Sequence, residues 1–239
     1  MRWKIYFFAL SVVAVVHLCG TASAQQAPQP PEGVQYAAAP AGHVAGDSAA
    51  MPPPRLRLFG TREAFSRDTS PFTKWHDAMR RAAAETAPDA TCERPRPSCR
   101  LDQWRRFVDS LRGLDPRSQV EAINHEMNRR THTRDRRNWG VEDYWASPME
   151  FLDKSGDCED YAIAKYVSLR ALGWSDRQLR LVVLKDRRSQ MMHAILVVQL
   201  EGETLVLDNQ ISSVVKADSI RHYTPLYSIN QSGWWLHRT

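Results

Sequence analysis

The sequence predicts an α+β fold, with helices in its N-terminal part packed on an antiparallel sheet that follows them. Apolar residues recur every three or four positions in the segments 71–86, 101–112 and 116–130, which is the spacing of a helix with one buried face. From residue 179 onward, short runs rich in Val, Ile and Leu replace that spacing and predict strands. Helices followed by strands are typical of α+β domains.

The three early helices are defined by apolar positions that are more typical of a core than of a cofactor site. These positions are Phe72, Trp75, Met79, Trp104, Phe107, Val108, Leu111, Val120, Ile123 and Met127. The third helix also begins with Asp115 and Pro116, an N-cap residue followed by proline at the first helical position. Between 131 and 150 the periodicity disappears, so we expect an irregular, aromatic-rich loop there. Its part from Trp139 to Trp145 is a candidate wall of a substrate cleft.

A fourth helix is predicted to begin at Cys158. Gly156 permits a sharp turn before it, Asp157 is a plausible N-cap, and Gly173 is a natural C-cap. Cys158 therefore lies at a helix N-terminus, where free N–H groups and the helix dipole favour a thiolate.

The strands are predicted at 179–184, 193–200 and 204–207, with a weaker one at 213–215. Glu201 and Gly202 are predicted to form a two-residue hairpin turn, in which case the numbers of paired residues add up to 403. His193 and Asp208 are then diagonal neighbours on one face, about 7–8 Å apart. The alternative is an edge hairpin that carries two solvated polar residues.

The chain divides into three parts. Residues 1–24 have a basic start, an apolar run and the motif Ala22-Ser23-Ala24, which predict an export signal cleaved after Ala24. An uncleaved N-terminal anchor is the alternative. Residues 25–55 are rich in Ala and Pro and predict a disordered spacer. Residues 56–239 are long enough for one domain with a real core.

Charge and cysteine content limit the functional classes. The net charge of +5 falls to +3 when the two basic residues of the signal are removed, and acids and bases are interspersed, so a nucleic-acid partner is not expected. In an oxidising compartment, Cys92 and Cys99 can close a small loop, which leaves Cys158 unpaired. An unpaired thiol in an exported protein suggests reactivity, although an inert buried cysteine is the usual alternative.

Cys158, His193 and Asp208 together match the needs of nucleophilic catalysis. The cysteine needs a base, which His193 supplies, and the base needs a group to orient it, which is Asp208. Asn209 or Gln210 takes the place of Asp208 if the register shifts.

Three acids surround the cysteine and have two interpretations. Asp157, Glu159 and Asp160 raise the pKa of a neighbouring thiol unless a cation balances them. Clustered carboxylates suit Ca²⁺ better than Zn²⁺. Alternatively, Asp157 is an N-cap, and Glu159 and Asp160 are ordinary acids of a first helical turn. The residues alone leave both interpretations open.

The sequence resembles a known family through motifs that occur in a fixed order. They are DYWASPMEFL at 143–152, GDCEDYAIAKY at 156–166, His193-Ala194, LDNQ at 207–210, RHY at 221–223 and YSIN at 227–230. Together they resemble the bacterial transglutaminase-like cysteine proteinases, specifically the LapG-type periplasmic proteases. The resemblance covers the chain from about Leu58 to the C-terminus.

This resemblance implies a papain-like or transglutaminase-like core with Cys158, His193 and Asp208 as catalytic triad. It also implies calcium dependence, with Asp157, Glu159 and Asp160 as ligands. The implied activity is that of a periplasmic cysteine endopeptidase, which cuts the N-terminal region of a large surface adhesin and promotes biofilm dispersal. The implied regulator is the periplasmic domain of an inner-membrane receptor for cyclic di-GMP.

Two other functions are compatible with the same residues. A transglutaminase or a cell-wall peptide amidase uses the same triad and differs in the acyl acceptor or the substrate. A calcium-binding adaptor on an inactive protease scaffold is the non-enzymatic alternative.

Overall fold

The structure is a computed structural model that describes residues 56, 58–92 and 99–238. The predicted signal at 1–24 and the predicted spacer at 25–55 lie outside the described residues and stay predictions. Along the chain the elements are β1 (Arg62–Ser66), α1 (Thr73–Thr86), α2 (Arg100–Ser110), α3 (Pro116–Asn128), α4 (Asp135–Asn138), α5 (Pro148–Lys154), α6 (Cys158–Ala171), β2 (Leu179–Asp186), β3 (Met192–Leu200), β4 (Glu203–Leu207), β5 (Val215–Lys216), β6 (Tyr223–Asn230) and β7 (Gly233–Arg238).

The seven strands of the described residues form one antiparallel sheet in the order β1-β7-β6-β2-β3-β4-β5. The predicted α+β class is confirmed, and α1, α2, α3 and α6 agree with the predicted helices within about two residues. The prediction that helices come first is wrong in one respect, because β1 precedes them and pairs with β7 at the other end of the described chain. The strands β1, β6 and β7 were not predicted.

The irregular loop predicted at 131–150 contains the short helix α4 and the start of α5. Ser147 and Glu150 form a capping box at the start of α5, in which each side chain accepts a hydrogen bond from the other residue's backbone N–H. Pro148 occupies the first helical position. Within the described part of the chain, no helix is long and apolar enough to cross a membrane.

Helix α6 lies against one face of the sheet and forms the main core. Its buried residues Ile163 and Leu169 pack with Leu196 of β3 and with other strand residues on that face. The alternate strand residues, such as Ile195, form a second core on the other face, together with Leu58. The sheet therefore has two buried faces, and α6 sets the position of Cys158 relative to β3.

The hairpin between β3 and β4 has the predicted register. Leu196 pairs with Leu207 and Val197 with Val206, so the paired numbers add up to 403. Glu201 and Gly202 have φ values of 51° and 82°, as a two-residue type I′ turn requires. This register brings the start of β3 beside the end of β4.

Candidate active site

Cys158 is the first residue of α6, and the turn before it is tightly packed. Asp160 is fully buried and accepts hydrogen bonds from the backbone N–H groups of Ala146 (2.7 Å) and Asp157 (3.1 Å). A Cβ atom on Gly156 would lie only 2.7 Å from the Cβ atom of Asp160. Glycine is therefore required at 156 for the chain to enter α6 in this direction.

His193 and Asp208 are hydrogen-bonded at the ends of neighbouring strands. His193 Nε2 lies 2.9 Å from Asp208 Oδ1, and both side chains are buried. The backbone N–H of Gln210 donates to the same oxygen at 2.8 Å, and Asn128 of α3 donates to the Asp208 carbonyl at 2.7 Å. The alternative of two solvated residues on an edge hairpin is therefore wrong.

Cys158 and His193 line one cavity of about 230 Å³. Other lining residues are His132, Arg134, Asp143, Trp145, Asp157, Glu159, Val183, Ser189, Met191, Met192, Ala194 and Gln210. Among the described residues, no hydrogen bond joins Cys158 to His193, and Cys158 Sγ lies 3.2 Å from Glu159 Oε2. Because Nε2 of His193 faces Asp208, Nδ1 is the nitrogen left to serve a nucleophile, and the Gln210 amide lies 3.4 Å from it.

The acids around Cys158 oppose the thiolate that its helix position favours. Burial raises the pKa of Cys158 well above its usual value, and the charges of Glu159 and Asp157 raise it further. Without a compensating positive charge, burial and the neighbouring acids therefore outweigh the stabilisation that the start of α6 gives to a thiolate.

The structure adds two acids, Asp135 and Asp143, to the predicted three. Oxygen atoms of Asp135, Asp157 and Asp160 lie within 4.8 Å of one another, and so do those of Asp135, Asp143 and Glu159. Tyr144 holds Asp135 by donating its backbone N–H to Oδ2 at 2.5 Å. These two acids were missed because they lie in the segment that was predicted to be irregular.

Several oxygens of this acidic cluster are buried and have no hydrogen-bond partner within the described part of the chain. They are Asp135 Oδ1, Asp143 Oδ1 and Asp157 Oδ1. Burial raises the pKa of Asp135 to about 7, and burial followed by the charge of Asp157 raises that of Glu159. Lys74 forms an ion pair with Asp143 at the edge of the cluster. Carboxylate oxygens that lie this close together without hydrogen-bond partners are suitable ligands for a hard cation such as Ca²⁺.

Asp160 differs from the other acids because both of its oxygens already accept backbone N–H groups. Its observed contacts are those of a structural residue at the start of α6, and its role as a ligand stays a prediction. Away from the site, Cys92 and Cys99 are disulfide-bonded, which leaves Cys158 as the free cysteine of the described residues.

Comparison with known proteins identifies relatives. The sequence pattern of the bacterial transglutaminase-like cysteine proteinases (BTLCP) matches residues 81–237. A comparison with curated proteins found no match. Among solved structures, Legionella pneumophila LapG is similar at 35% sequence identity, over 57% of this chain and 77% of that one, with a TM-score of 0.52.

Two further structures of that protein give similar values. Calcium-bound Legionella pneumophila LapG is 35% identical over 57% of this chain and 77% of that one, with a TM-score of 0.52. The EGTA-treated protein is 35% identical over 58% and 76%, with a TM-score of 0.53. The family match covers well over half of the chain. The chain therefore belongs to the bacterial transglutaminase-like cysteine proteinases and is a cysteine peptidase.

Proposed function

We propose that the protein is a calcium-dependent cysteine endopeptidase with Cys158, His193 and Asp208 as its triad. The observation that carries this proposal is the hydrogen bond between His193 and Asp208 in the wall of the cavity that Cys158 also lines. Membership of a cysteine proteinase family supports it independently.

In the proposed reaction, His193 Nδ1 takes the proton of Cys158 and the thiolate attacks the scissile carbonyl. Asp208 accepts the Nε2–H of His193, which keeps Nδ1 free as the basic nitrogen and stabilises the imidazolium. The backbone N–H of Cys158, at the start of α6, is a natural donor to the developing oxyanion. His193 then protonates the leaving amine, and water hydrolyses the thioester.

Calcium is proposed as the cation of the acidic cluster. Asp135, Asp143, Asp157 and Glu159 would hold it. Oxygens of Asp135, Asp143 and Glu159 lie within 4.8 Å of one another, and an oxygen of Asp157 lies within that distance of Asp135. Among the described residues, one buried oxygen on each of Asp135, Asp143 and Asp157 has no hydrogen-bond partner. When bound, the ion supplies the positive charge that keeps these carboxylates ionised beside the cysteine. The calcium-bound form of the similar Legionella protein supports this choice.

The biological setting is proposed from the resemblance. The substrate is the N-terminal region of a large surface adhesin, whose release promotes biofilm dispersal. The protease acts in the periplasm after export, and the periplasmic domain of an inner-membrane cyclic di-GMP receptor controls it.

The test uses the chain without its predicted signal and N-terminal fragments of large adhesins from the same genome. Cleavage is measured with calcium, with a calcium-specific chelator, and with Cys158→Ala. Cleavage that requires both calcium and Cys158 supports the proposal, whereas cleavage that survives chelation removes calcium from it. Incorporation of amines into the fragments without cleavage would assign the protein as a transglutaminase. An adaptor would keep its biological function when Cys158 is replaced with Ser, whereas a protease would lose it.

A further inference from the structure

Besides His193, the Asp208 carboxylate has hydrogen-bond partners that the proposed triad does not include, and one of them is a side chain. Its Oδ1 atom accepts from His193 and from the backbone of Gln210, while Oδ2 accepts from the hydroxyl group of Tyr223 at 2.6 Å. In the described part of the chain, the Tyr223 hydroxyl is the hydrogen-bond donor to Oδ2. A fully buried carboxylate that lost this donor would leave one oxygen unsatisfied.

The side chain of Tyr223 is buried and packed, which holds its hydroxyl group in place beside Asp208. It is the first residue of β6, pairs with Asp186 of β2, and is only 4% exposed. Its ring packs edge-on against Phe59, with centroids 5.7 Å apart, and lies 4.5 Å from the ring of His222. The ring belongs to the second core, on the face of the sheet opposite α6.

We propose that Tyr223 is a positioning residue, whose hydroxyl group fixes the rotation of the Asp208 carboxylate so that Oδ1 faces His193 Nε2. This inference rests on the proposed triad. The carboxylate then holds the Nε2–H tautomer of His193 and leaves Nδ1 as the basic nitrogen toward Cys158. Without the Tyr223 hydroxyl, the carboxylate can rotate and the tautomer is less strongly selected.

The charges around Asp208 agree with this geometry. Burial raises the pKa of Asp208, but hydrogen bonds from His193, Tyr223 and Gln210 lower it by more, so that it lies below its usual value. Burial and the neighbouring carboxylate of Asp208 raise the pKa of Tyr223 above its usual value. Tyr223 therefore remains a protonated donor at any pH at which the enzyme is expected to work.

The test is Tyr223→Phe, which removes the hydroxyl group and keeps the ring. The matched control is Tyr166→Phe, which removes a buried tyrosine hydroxyl that donates to Asp176 at 2.5 Å, away from the triad. The first measurement is the tautomer of His193, read from ¹⁵N chemical shifts in ¹⁵N-histidine-labelled, calcium-loaded protein that carries Cys158→Ala. We expect the Nε2–H form in the parent and in the control, and a mixture of tautomers with Tyr223→Phe.

The second measurement is peptide hydrolysis by the otherwise unsubstituted enzyme. We expect Tyr223→Phe to lower kcat by about ten- to hundredfold with little change in KM, as loss of one hydrogen bond to a charged group implies. In an Asp208→Ala background the same change should have no further effect. Two results would overturn the inference. One is an unchanged His193 tautomer in Tyr223→Phe. The other is a fold-loss of kcat from Tyr223→Phe that is as large in the Asp208→Ala background as in the parent enzyme. If the parent hydrolyses no peptide but the tautomer shifts as expected, the endopeptidase assignment fails and the positioning role stands.

Discussion

The Nε2 atom of His193 lies 2.9 Å from Oδ1 of Asp208, although the two residues are 15 positions apart in the chain. A two-residue turn and the alternation of side chains along β3 and β4 produce this contact. The contact selects which imidazole nitrogen carries the proton, because a carboxylate accepts but does not donate. The register of one hairpin therefore determines which nitrogen of His193, the proposed base, is available to Cys158.

Replacing Asp208 with Asn should abolish most of the activity without unfolding the protein. The amide keeps the size of the carboxylate but no longer enforces the Nε2–H tautomer, so kcat should fall by roughly 10³- to 10⁴-fold. Steady-state hydrolysis of a peptide substrate measures this, with the exposed Asp218→Asn as matched control. A loss of less than tenfold would mean that Asp208 does not orient the base.

Asp135→Asn should weaken calcium binding even though Asp135 lies 22 residues before Asp157. Its Oδ1 atom is buried in the acidic cluster and has no hydrogen-bond partner among the described residues, so the change removes one carboxylate from the proposed calcium site. We expect calcium affinity to fall at least tenfold in calorimetric titrations of chelator-treated protein. Glu142→Gln is the control, since Glu142 is exposed and pairs with Arg136. Wild-type affinity in Asp135→Asn and Asp143→Asn would restrict the site to the acids beside Cys158.

Gly156→Ala should destabilise the protein and disturb the start of α6. The added Cβ atom would collide with the buried side chain of Asp160, which itself holds the backbone of Ala146. We expect a loss of about 1–3 kcal/mol in urea unfolding. At Gly113 a Cβ atom meets nothing within 4 Å and the backbone is not left-handed, so Gly113→Ala should change stability by less than about 1 kcal/mol. Equal effects of both substitutions would contradict this account.

A structural feature of this protein can be predicted from the sequence when the residues that determine it are close together in the chain. The position of His193 opposite Asp208 follows from the Glu201-Gly202 turn, because a two-residue turn and a period of two leave one register. The strand β1 could not be predicted in this way, because its partner β7 lies at the far end of the described chain. The capping box at Ser147, in contrast, was a local signal that could have revealed α5.

The acidic cluster could also be predicted only in part, because some of its members are distant from the others in the sequence. Asp157, Glu159 and Asp160 are adjacent in sequence, so their proximity was evident. Asp135 and Asp143 join them only through the fold of the segment before α5, where Tyr144 donates its backbone N–H to Asp135. No spacing rule relates Asp135 and Asp143 to the other acids, so the three-dimensional structure was needed to show that they belong to the cluster.

Lys165→Met should stabilise the protein, and the gain should depend on pH. Lys165 lies on α6 with its side chain fully buried, and its Nζ atom has no hydrogen-bond partner among the residues that the structure describes. Burial lowers its pKa and the charge of Asp208 offsets only part of this effect, so that the pKa falls from 10.5 to about 7. Below pH 7 the lysine is protonated in both the folded and the unfolded state, so the full cost of burying its charge is present. Between pH 7 and 10.5 the folded state holds the lysine neutral and the unfolded state still binds the proton, so that cost shrinks as the pH rises.

The expected gain from Lys165→Met is therefore on the order of a few kcal/mol at pH 6, and it declines toward zero as the pH approaches 10.5. Urea unfolding at a series of pH values measures it, with the exposed Lys185→Met on β2 as matched control. A gain that is the same at pH 6 and pH 10 would show that packing of the methionine, and not removal of a buried charge, accounts for the change. Destabilisation at pH 6 would show that the ammonium group is better satisfied beside Asp208 than its unpartnered Nζ atom indicates.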